Sequence, residues 1–132
     1  MWLVKTEPTA YAYADLAKAK RTVWDGVKNP VALKNLREMK VGERVFVYHT
    51  GDEKAVVGMA EVVKAAYRDP NASFPSQVVV DLQAVGPLAR PVTLAEIKAR
   101  KEFTESPLVR QGRLSVVPLT AAQVKAIEAL GK

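Results

Sequence analysis

The sequence contains no cysteine and only one histidine, His49. The absence of cysteine excludes disulfide frameworks, iron–sulfur clusters, thiolate nucleophiles and cysteine-based zinc sites. A single histidine excludes a metal site built on two or three histidine ligands, and a histidine-dependent triad would have to use His49. We therefore predict a chain that holds no metal and no cofactor.

Long apolar runs are also missing, and the unbroken apolar stretches are short, such as residues 45–48 and 78–80. A membrane-spanning helix needs about 20 consecutive apolar residues, so we predict no membrane segment. The first residues, Met1-Trp2-Leu3-Val4, lack the basic region and cleavage site of a signal peptide. We therefore expect a cytoplasmic location, with which the lack of cysteine is compatible.

The glycines form neither a dinucleotide-binding fingerprint nor a phosphate-binding P-loop. The Gly-x-Ser-x-Gly turn that carries the nucleophile of many hydrolases is absent as well. A site built on paired carboxylates stays open, because Glu7, Asp25 and Asp52 could converge, but nothing in their spacing favours it. Solvated loop acids are the simpler interpretation.

Length and charge describe a small basic domain. With 132 residues, 48% of them apolar, the chain is long enough for one hydrophobic core, and we predict a single domain over residues 1–132. Twenty Lys and Arg against 14 Asp and Glu give a net charge of +6. This excess suggests an anionic partner, of which nucleic acid is the commonest, although charge that only maintains solubility is the alternative.

Five segments have the composition of strands. They cover residues 2–4, 44–49, 55–65, 77–85 and 114–117, and Gly58 marks a bulge or bend within the third. The short link at residues 49–53 predicts an antiparallel hairpin between the second and third strands.

Helices are marked by their capping residues. Asn29 followed by Pro30 predicts a helix start. Thr93 with Glu96, and Thr120 with Gln123, have the spacing of capping boxes. A weaker helix is predicted over residues 13–20, with the basic residues 18–21 at its solvated end. The resulting order (strand, two helices, strands, helix, strand, helix) predicts an α+β fold, a small and mostly antiparallel barrel of five or six strands with flanking helices.

Polar side chains cluster where the predicted strands end. They occupy residues 5–8, 24–29, 49–51 and 110–115. Loops on a rigid scaffold are common places for binding residues. Because these segments combine an aromatic ring with hydrogen-bonding groups, they suit a planar heterocycle that is stacked and read along its edge.

These segments resemble those of the EVE domains, a family of the PUA-like superfamily related to the YTH readers of methylated adenine. The matching motifs are Trp2-Leu3-Val4-Lys5-Thr6-Glu7-Pro8, Trp24-Asp25-Gly26-Val27-Lys28-Asn29, Val45-Phe46-Val47-Tyr48-His49-Thr50, Gly58-Met59-Ala60-Glu61-Val62 and Gly112-Arg113-Leu114-Ser115-Val116. They run in family order over nearly the whole chain. The resemblance implies a PUA-like barrel of five or six strands and a pocket for an extruded, modified base of DNA or RNA.

The resemblance and the loop clusters together identify candidate site residues. The expected base or ligand contacts are Lys5, Thr6, Trp24, Asn29, Tyr48, His49, Thr50, Leu114 and Ser115, and the expected contacts to the phosphate backbone are Lys28, Arg110 and Arg113. Several have ordinary structural alternatives. Trp24, placed in a loop, could instead plug the mouth of the barrel, and Tyr48 could pack beneath the pocket. Asn29 could cap the helix at Pro30, and His49 could be a satisfied polar group.

We therefore expect a non-catalytic, monomeric module that binds modified DNA or RNA. The first alternative is a small, metal-independent enzyme that acts on a nucleotide or modified base through Asp25, Glu7 or His49. The absence of a recognisable nucleophile–base motif argues against it. A protein-interaction domain is the second alternative.

Overall fold

The computed structural model describes all residues, 1–132. Its strands are β1 (Trp2–Thr6), β2 (Arg21–Trp24), β3 (Arg44–His49), β4 (Ala55–Arg68), β5 (Val78–Thr93) and β6 (Val116–Pro118). Its helices are α1 (Tyr13–Ala19), α2 (Pro30–Glu38), α3 (Leu94–Lys98), α4 (Pro107–Arg110) and α5 (Ala121–Leu130), with a 3₁₀ turn at Lys101–Phe103. None of the helices is both long and apolar enough to span a membrane.

The six strands form one sheet in the order β2-β5-β4-β3-β1-β6. Only β1 and β3 are parallel, and the other four pairs are antiparallel. The predicted hairpin is confirmed as β3 and β4. A mostly antiparallel sheet with helices packed around it confirms the predicted fold class.

The two end strands of the sheet, β2 and β6, do not pair with each other. The outer edge of β6 is covered by α2, because Asn35 Nδ2 donates to the main-chain oxygen of Val116 (2.8 Å). No strand or helix hydrogen-bonds to the outer edge of β2. The sheet therefore ends on one side in β2, and the main-chain groups of β2 that point away from β5 stay unpaired.

The capping signals in the sequence are confirmed. Asn29 Oδ1 accepts hydrogen bonds from the main-chain N–H groups of Val31 and Ala32, and Pro30 opens α2. The Thr93 and Thr120 capping boxes are both formed, at the starts of α3 and α5. Each cap satisfies main-chain donors that a helix start leaves without partners.

The predicted bend at Gly58 is confirmed as well. The pairing of β4 with β5 shifts register between Val56 and Gly58. A Cβ atom on Gly58 would lie 2.5 Å from the ring of Tyr13. Only a residue without a side chain lets α1 approach the sheet this closely.

The sequence pattern does not predict β2, the strand that contains Trp24. Residues 18–21 were assigned to a helix end and Trp24 to a loop. Instead, α1 ends at Ala19, the C-cap residue Lys20 turns the chain with a φ of 69°, and Trp24 is the last residue of β2. Pairing with the distant β5 makes this strand, supported by an ion pair from Arg21 to Asp81 (2.8 Å). A four-residue strand carries too little local pattern to reveal such a partner.

Other boundaries also differ from the predictions. The strands β4 and β5 run to Arg68 and Thr93 and are longer than expected, whereas β6 starts at Val116 and not at Leu114. The short helical segments at Lys101–Phe103 and Pro107–Arg110 were not predicted.

Candidate functional site

A cavity of about 470 Å³ opens where the sheet fails to close. We call it the rim cavity. Its lining comes from the end of β1 and the turn after it, from β2 and the segment after it, and from the residue before β6: Lys5, Thr6, Ala10, Tyr11, Thr22, Val23, Trp24, Asp25, Gly26, Val27 and Ser115. Because β2 and β6 are opposite ends of the sheet, their meeting at one cavity means that the sheet curls into an incomplete barrel. The volume lies within the range of about 300–1,000 Å³ usual for small-molecule sites.

Two aromatic rings form one wall of the rim cavity. Trp24 is only 7% exposed and belongs to the hydrophobic core, and yet it borders the opening. Tyr11 is partly exposed and packs edge to face on Trp24, with ring centroids 6.3 Å apart and an interplanar angle of 82°. This arrangement is favourable for aromatic pairs and holds both rings in fixed positions.

The turn between β1 and α1 places Tyr11. The main-chain N–H of Tyr11 donates to Glu7 O (2.9 Å), and Thr6 Oγ1 donates to the main-chain oxygen of Tyr11 (2.7 Å). The hydroxyl of Thr6 is thus used to build the wall, although its oxygen can still accept one further hydrogen bond.

Main-chain groups of β2 also face the cavity side. The N–H of Ala84 donates to Lys20 O (2.8 Å), so in the antiparallel register Thr22 and Trp24 direct their main-chain groups to β5. The N–H and C=O of Val23 therefore point away from β5, and no group of the protein pairs with them. They form an unpaired donor and acceptor beside the opening.

The segment after β2 extends this unpaired stretch. No main-chain hydrogen bond is formed by the N–H groups of residues 25–29. Gly26 has a φ of +76°, a left-handed conformation that favours glycine, with open space around the position of a Cβ. A ligand in the rim cavity would meet main-chain donors and acceptors that are still free to bond.

Lys5 supplies positive charge to the cavity wall. Its Nζ donates to Gly112 O (2.9 Å) and lies 5.5 Å from the centre of the Tyr48 ring. No carboxylate lies within 4 Å of it. Burial lowers the pKa of Lys5, because desolvation disfavours the charged ammonium. A hydrogen-bond acceptor or an anion at this wall would compensate the desolvation of the Lys5 ammonium.

His49 lies outside the rim cavity, and both of its ring nitrogens have partners. The main-chain N–H of Tyr13 donates to Nε2 (2.9 Å), which leaves the ring proton on Nδ1, where it faces Glu53 Oε1 (2.6 Å). The imidazole is buried and ties the start of α1 to β3 and its following loop. The geometry is that of a satisfied polar group.

Tyr48 and Thr50 also lie outside the rim cavity. Together with Lys5 they border a smaller depression of about 160 Å³. Tyr48 is buried beneath Lys5, and Thr50 Oγ1 bonds to Thr6 O (3.4 Å). The structure therefore brings these two side chains to a separate depression that shares only Lys5 with the rim cavity.

Asn29 and Leu114 border a second depression of about 300 Å³, beside residues 111–113. The amide oxygen of Asn29 is occupied by the cap of α2. Of the predicted phosphate contacts, Lys28 and Arg113 are exposed and form no ion pair, whereas Arg110 pairs with Glu105 (2.9 Å). These two free cations lie close in sequence to the lining residues Val27 and Ser115, and Arg113 borders the second depression.

The three groups proposed for an enzymatic alternative are not gathered at the cavity. Only Asp25 lines it. Glu7 accepts hydrogen bonds from the main-chain N–H and hydroxyl of Thr9, which lower the pKa of Glu7 and use its carboxylate to hold the turn. His49 is engaged as described above.

Several lining residues were not identified from the sequence, namely Ala10, Tyr11, Thr22, Val23, Gly26 and Val27. Most lie on or beside β2, the strand that was missed. Recognising β2 would have placed Thr22 and Trp24 on one face of a strand. Tyr11 carries no comparable signal, since only the turn after β1 brings it to Trp24.

Comparisons with known proteins agree on one family. The model of the EVE domain matches residues 1–130. Human thymocyte nuclear protein 1 is 35% identical to this chain over 154 aligned positions, which cover 90% of the chain and 68% of that protein.

Solved structures are similar over the same length. The NMR structure of Rpa0253 from Rhodopseudomonas palustris is 38% identical with a TM-score of 0.91, covering 98% of this chain and 91% of that one. The human THYN1 protein, crystallised in complex with DNA containing 5-methylcytosine, is 32% identical with a TM-score of 0.86, covering 99% and 96%.

Proposed function

The chain belongs to the EVE domain family, and from that premise we propose that it is a non-catalytic module that binds nucleic acid and takes one modified base into the rim cavity. The observation that carries the proposal is the cavity itself, open at the unclosed end of the sheet and walled by Tyr11 and Trp24. The complex of human THYN1 with DNA containing 5-methylcytosine supports the choice of ligand.

The energetics favour discrimination by the modification over tight general binding. Extruding a base from its stack costs a few kcal/mol, least where pairing is weak or absent. Stacking on an aromatic side chain returns about 1–3 kcal/mol per base. Since these amounts nearly cancel, the hydrogen bonds along the base edge and the contacts of the added group decide which base stays in the cavity.

Around the inserted base, the proposal assigns direct contacts to Lys5, Thr6, Trp24 and Ser115, the predicted ligand residues that line the rim cavity. Ser115 and Thr22 bring hydroxyls to the cavity lining, and a hydroxyl can donate or accept. The Lys5 ammonium suits an acceptor on the base or its sugar–phosphate.

The nucleic-acid backbone is assigned to the second depression and its free cations. Lys28 and Arg113 form no ion pair; Arg113 and Asn29, the residue after Lys28, both border this depression. Cations that meet phosphates release counterions, so binding weakens as salt rises. Most of the general affinity therefore comes from this depression, and most of the selectivity from the cavity.

The proposal is tested by titrating the protein with matched single-stranded oligonucleotides, one carrying 5-methylcytosine and one carrying cytosine at the same position. We expect weak binding to both and tighter binding to the modified strand, with a preference that persists as salt increases. An oligonucleotide with N6-methyladenine, read in parallel, distinguishes the two kinds of modified base. Equal affinity for all modified and plain strands would refute the proposal that the protein reads a modified base. Incubating the protein with each oligonucleotide and finding the oligonucleotide unchanged would agree with a non-catalytic role.

The backbone assignment makes its own prediction. Replacing Lys28 and Arg113 together by glutamine should weaken binding to modified and plain strands equally and lower the slope of log affinity against log salt by about 1–2. Lys125→Gln, an exposed lysine of α5 that lines none of the cavities, serves as the control and should leave the slope unchanged. A double variant with the slope of the parent protein would place the backbone elsewhere.

A further inference from the structure

The two tryptophans of the chain use their indole N–H groups differently. Trp2 Nε1 donates to Glu43 Oε1 (3.2 Å). No protein group accepts from Trp24 Nε1, although the Trp24 side chain is 7% exposed. An indole N–H can only donate, so the Trp24 N–H is free to donate to solvent or to a bound ligand.

The location of that N–H follows from accessibility. Every fully buried side-chain nitrogen and oxygen in the chain has a hydrogen-bond partner. Because Trp24 Nε1 has none, solvent must reach it, and the small exposed part of this residue includes the N–H. Of the four depressions on the molecule, only the rim cavity is bordered by Trp24. The N–H is therefore presented to that cavity.

This N–H differs in kind from the free hydroxyls at the cavity. The hydroxyls of Tyr11, Thr22 and Ser115 rotate and can either donate or accept. An indole N–H can only donate, and the packing of Trp24 in the core and against Tyr11 fixes its direction. A fixed donor selects among ligands by rejecting those that present another donor or an apolar group at that point.

We propose that Trp24 reads the inserted base through its indole N–H, which donates to a carbonyl oxygen or an unprotonated ring nitrogen of the base. The inference rests on the proposed function and specifies the chemistry of its ligand: a heterocycle that offers a hydrogen-bond acceptor to the Trp24 N–H. Trp24 is then a specificity-determining donor as well as an aromatic wall.

The test observes the two indole N–H signals directly. In a ¹⁵N-labelled sample, Trp2→Phe assigns the pair, and the Trp24 proton should exchange with water without ligand. On titration with the 5-methylcytosine oligonucleotide, the Trp24 proton should shift downfield while the Trp2 proton stays in place. Trp24→Phe, which keeps a ring but removes the donor, should bind the modified strand about threefold to tenfold more weakly. Trp2→Phe should bind it like the parent protein.

Three results would overturn the proposal. In the first, the main-chain signals around the rim cavity shift on binding and the Trp24 indole signal does not. The proposed base binding would then stand, but Trp24 would not donate to the base. An upfield shift of the indole alone, with Trp24→Phe binding at full strength, would reduce Trp24 to a stacking surface. No perturbation at any signal would refute the proposed function and this inference with it.

Discussion

Replacing Trp24 by alanine is expected to abolish the preference for the strand carrying 5-methylcytosine over the cytosine strand. Stacking on one aromatic side chain is worth about 1–3 kcal/mol, which corresponds to about 5- to 150-fold in affinity. Without this wall, binding in the cavity no longer offsets the free energy that unstacking the base costs. The base then stays out of the cavity, and its modification no longer affects the affinity. The slope of affinity against salt should stay nearly unchanged, because Lys28 and Arg113 are untouched. Fluorescence anisotropy at several salt concentrations measures both quantities.

The control for this variant has to separate binding from folding. Trp24 belongs to the core, and truncating a buried tryptophan costs about 3–5 kcal/mol of stability. Trp2 is buried to the same degree, at 8% against 7% exposure, but does not line the rim cavity. Trp2→Ala should therefore lose comparable stability and keep the base preference. A folded Trp24→Ala protein that still prefers the modified strand would contradict the assignment of the pocket.

Local signals in the sequence were sufficient where the structure is decided locally. The helix starts at Pro30, Leu94 and Ala121 were all predicted, because a capping side chain bonds to main-chain groups two or three residues away. The β3–β4 hairpin and the bend at Gly58 were predicted for the same reason. The motifs of the resemblance then indicated the EVE domain family, which composition alone could not name.

Features made by distant parts of the chain were harder to predict. The strand β2 exists through its pairing with β5, about 60 residues away, and its four residues have no clear period of their own. Missing it hid Thr22 and Val23 from the candidate site and placed Trp24 in a loop. Tyr11 reaches Trp24 only through the turn held by Thr6. The sequence located the rim of the barrel, but tertiary contacts determine which side chains face its cavity.

Polar residues at strand ends show why residue type alone does not establish a role. Both Asn29 and His49 lie within motifs that resemble those of the family, and both side chains have groups able to hydrogen-bond to a base. In the fold, Asn29 caps α2 and His49 joins the start of α1 to Glu53. These hydrogen bonds satisfy groups that folding would otherwise leave unpaired. Lys5, in contrast, has only a main-chain carbonyl as acceptor, so its ammonium is better placed to respond to a ligand.

The close approach of α1 to the sheet leads to the second large effect, a loss of stability in Gly58→Ala. The new Cβ would lie 2.5 Å from the ring of Tyr13, a distance that requires the ring or the strand to move. The ring cannot move easily, because the Tyr13 hydroxyl donates to Met59 O (2.7 Å) and accepts from Gly86 N–H (2.9 Å). Overpacking a core costs about 1–3 kcal/mol or more, and we expect the upper end here.

The matched control is Gly86→Ala, at a residue that contacts the same tyrosine but has no atom within 4 Å of its Cβ position. Thermal unfolding should show Gly86→Ala within a few degrees of the parent protein and Gly58→Ala about 10 °C lower, since 1 kcal/mol corresponds to about 4 °C at this size. Because Tyr13 follows Tyr11 by two residues, a displaced α1 should also disturb the aromatic wall. Gly58→Ala should then lose part of its base preference at temperatures where it is still folded. Equal stability of the two variants would mean that the Tyr13 ring can move aside at little cost. The sheet would then not fix the position of Tyr11 through its contacts with Tyr13.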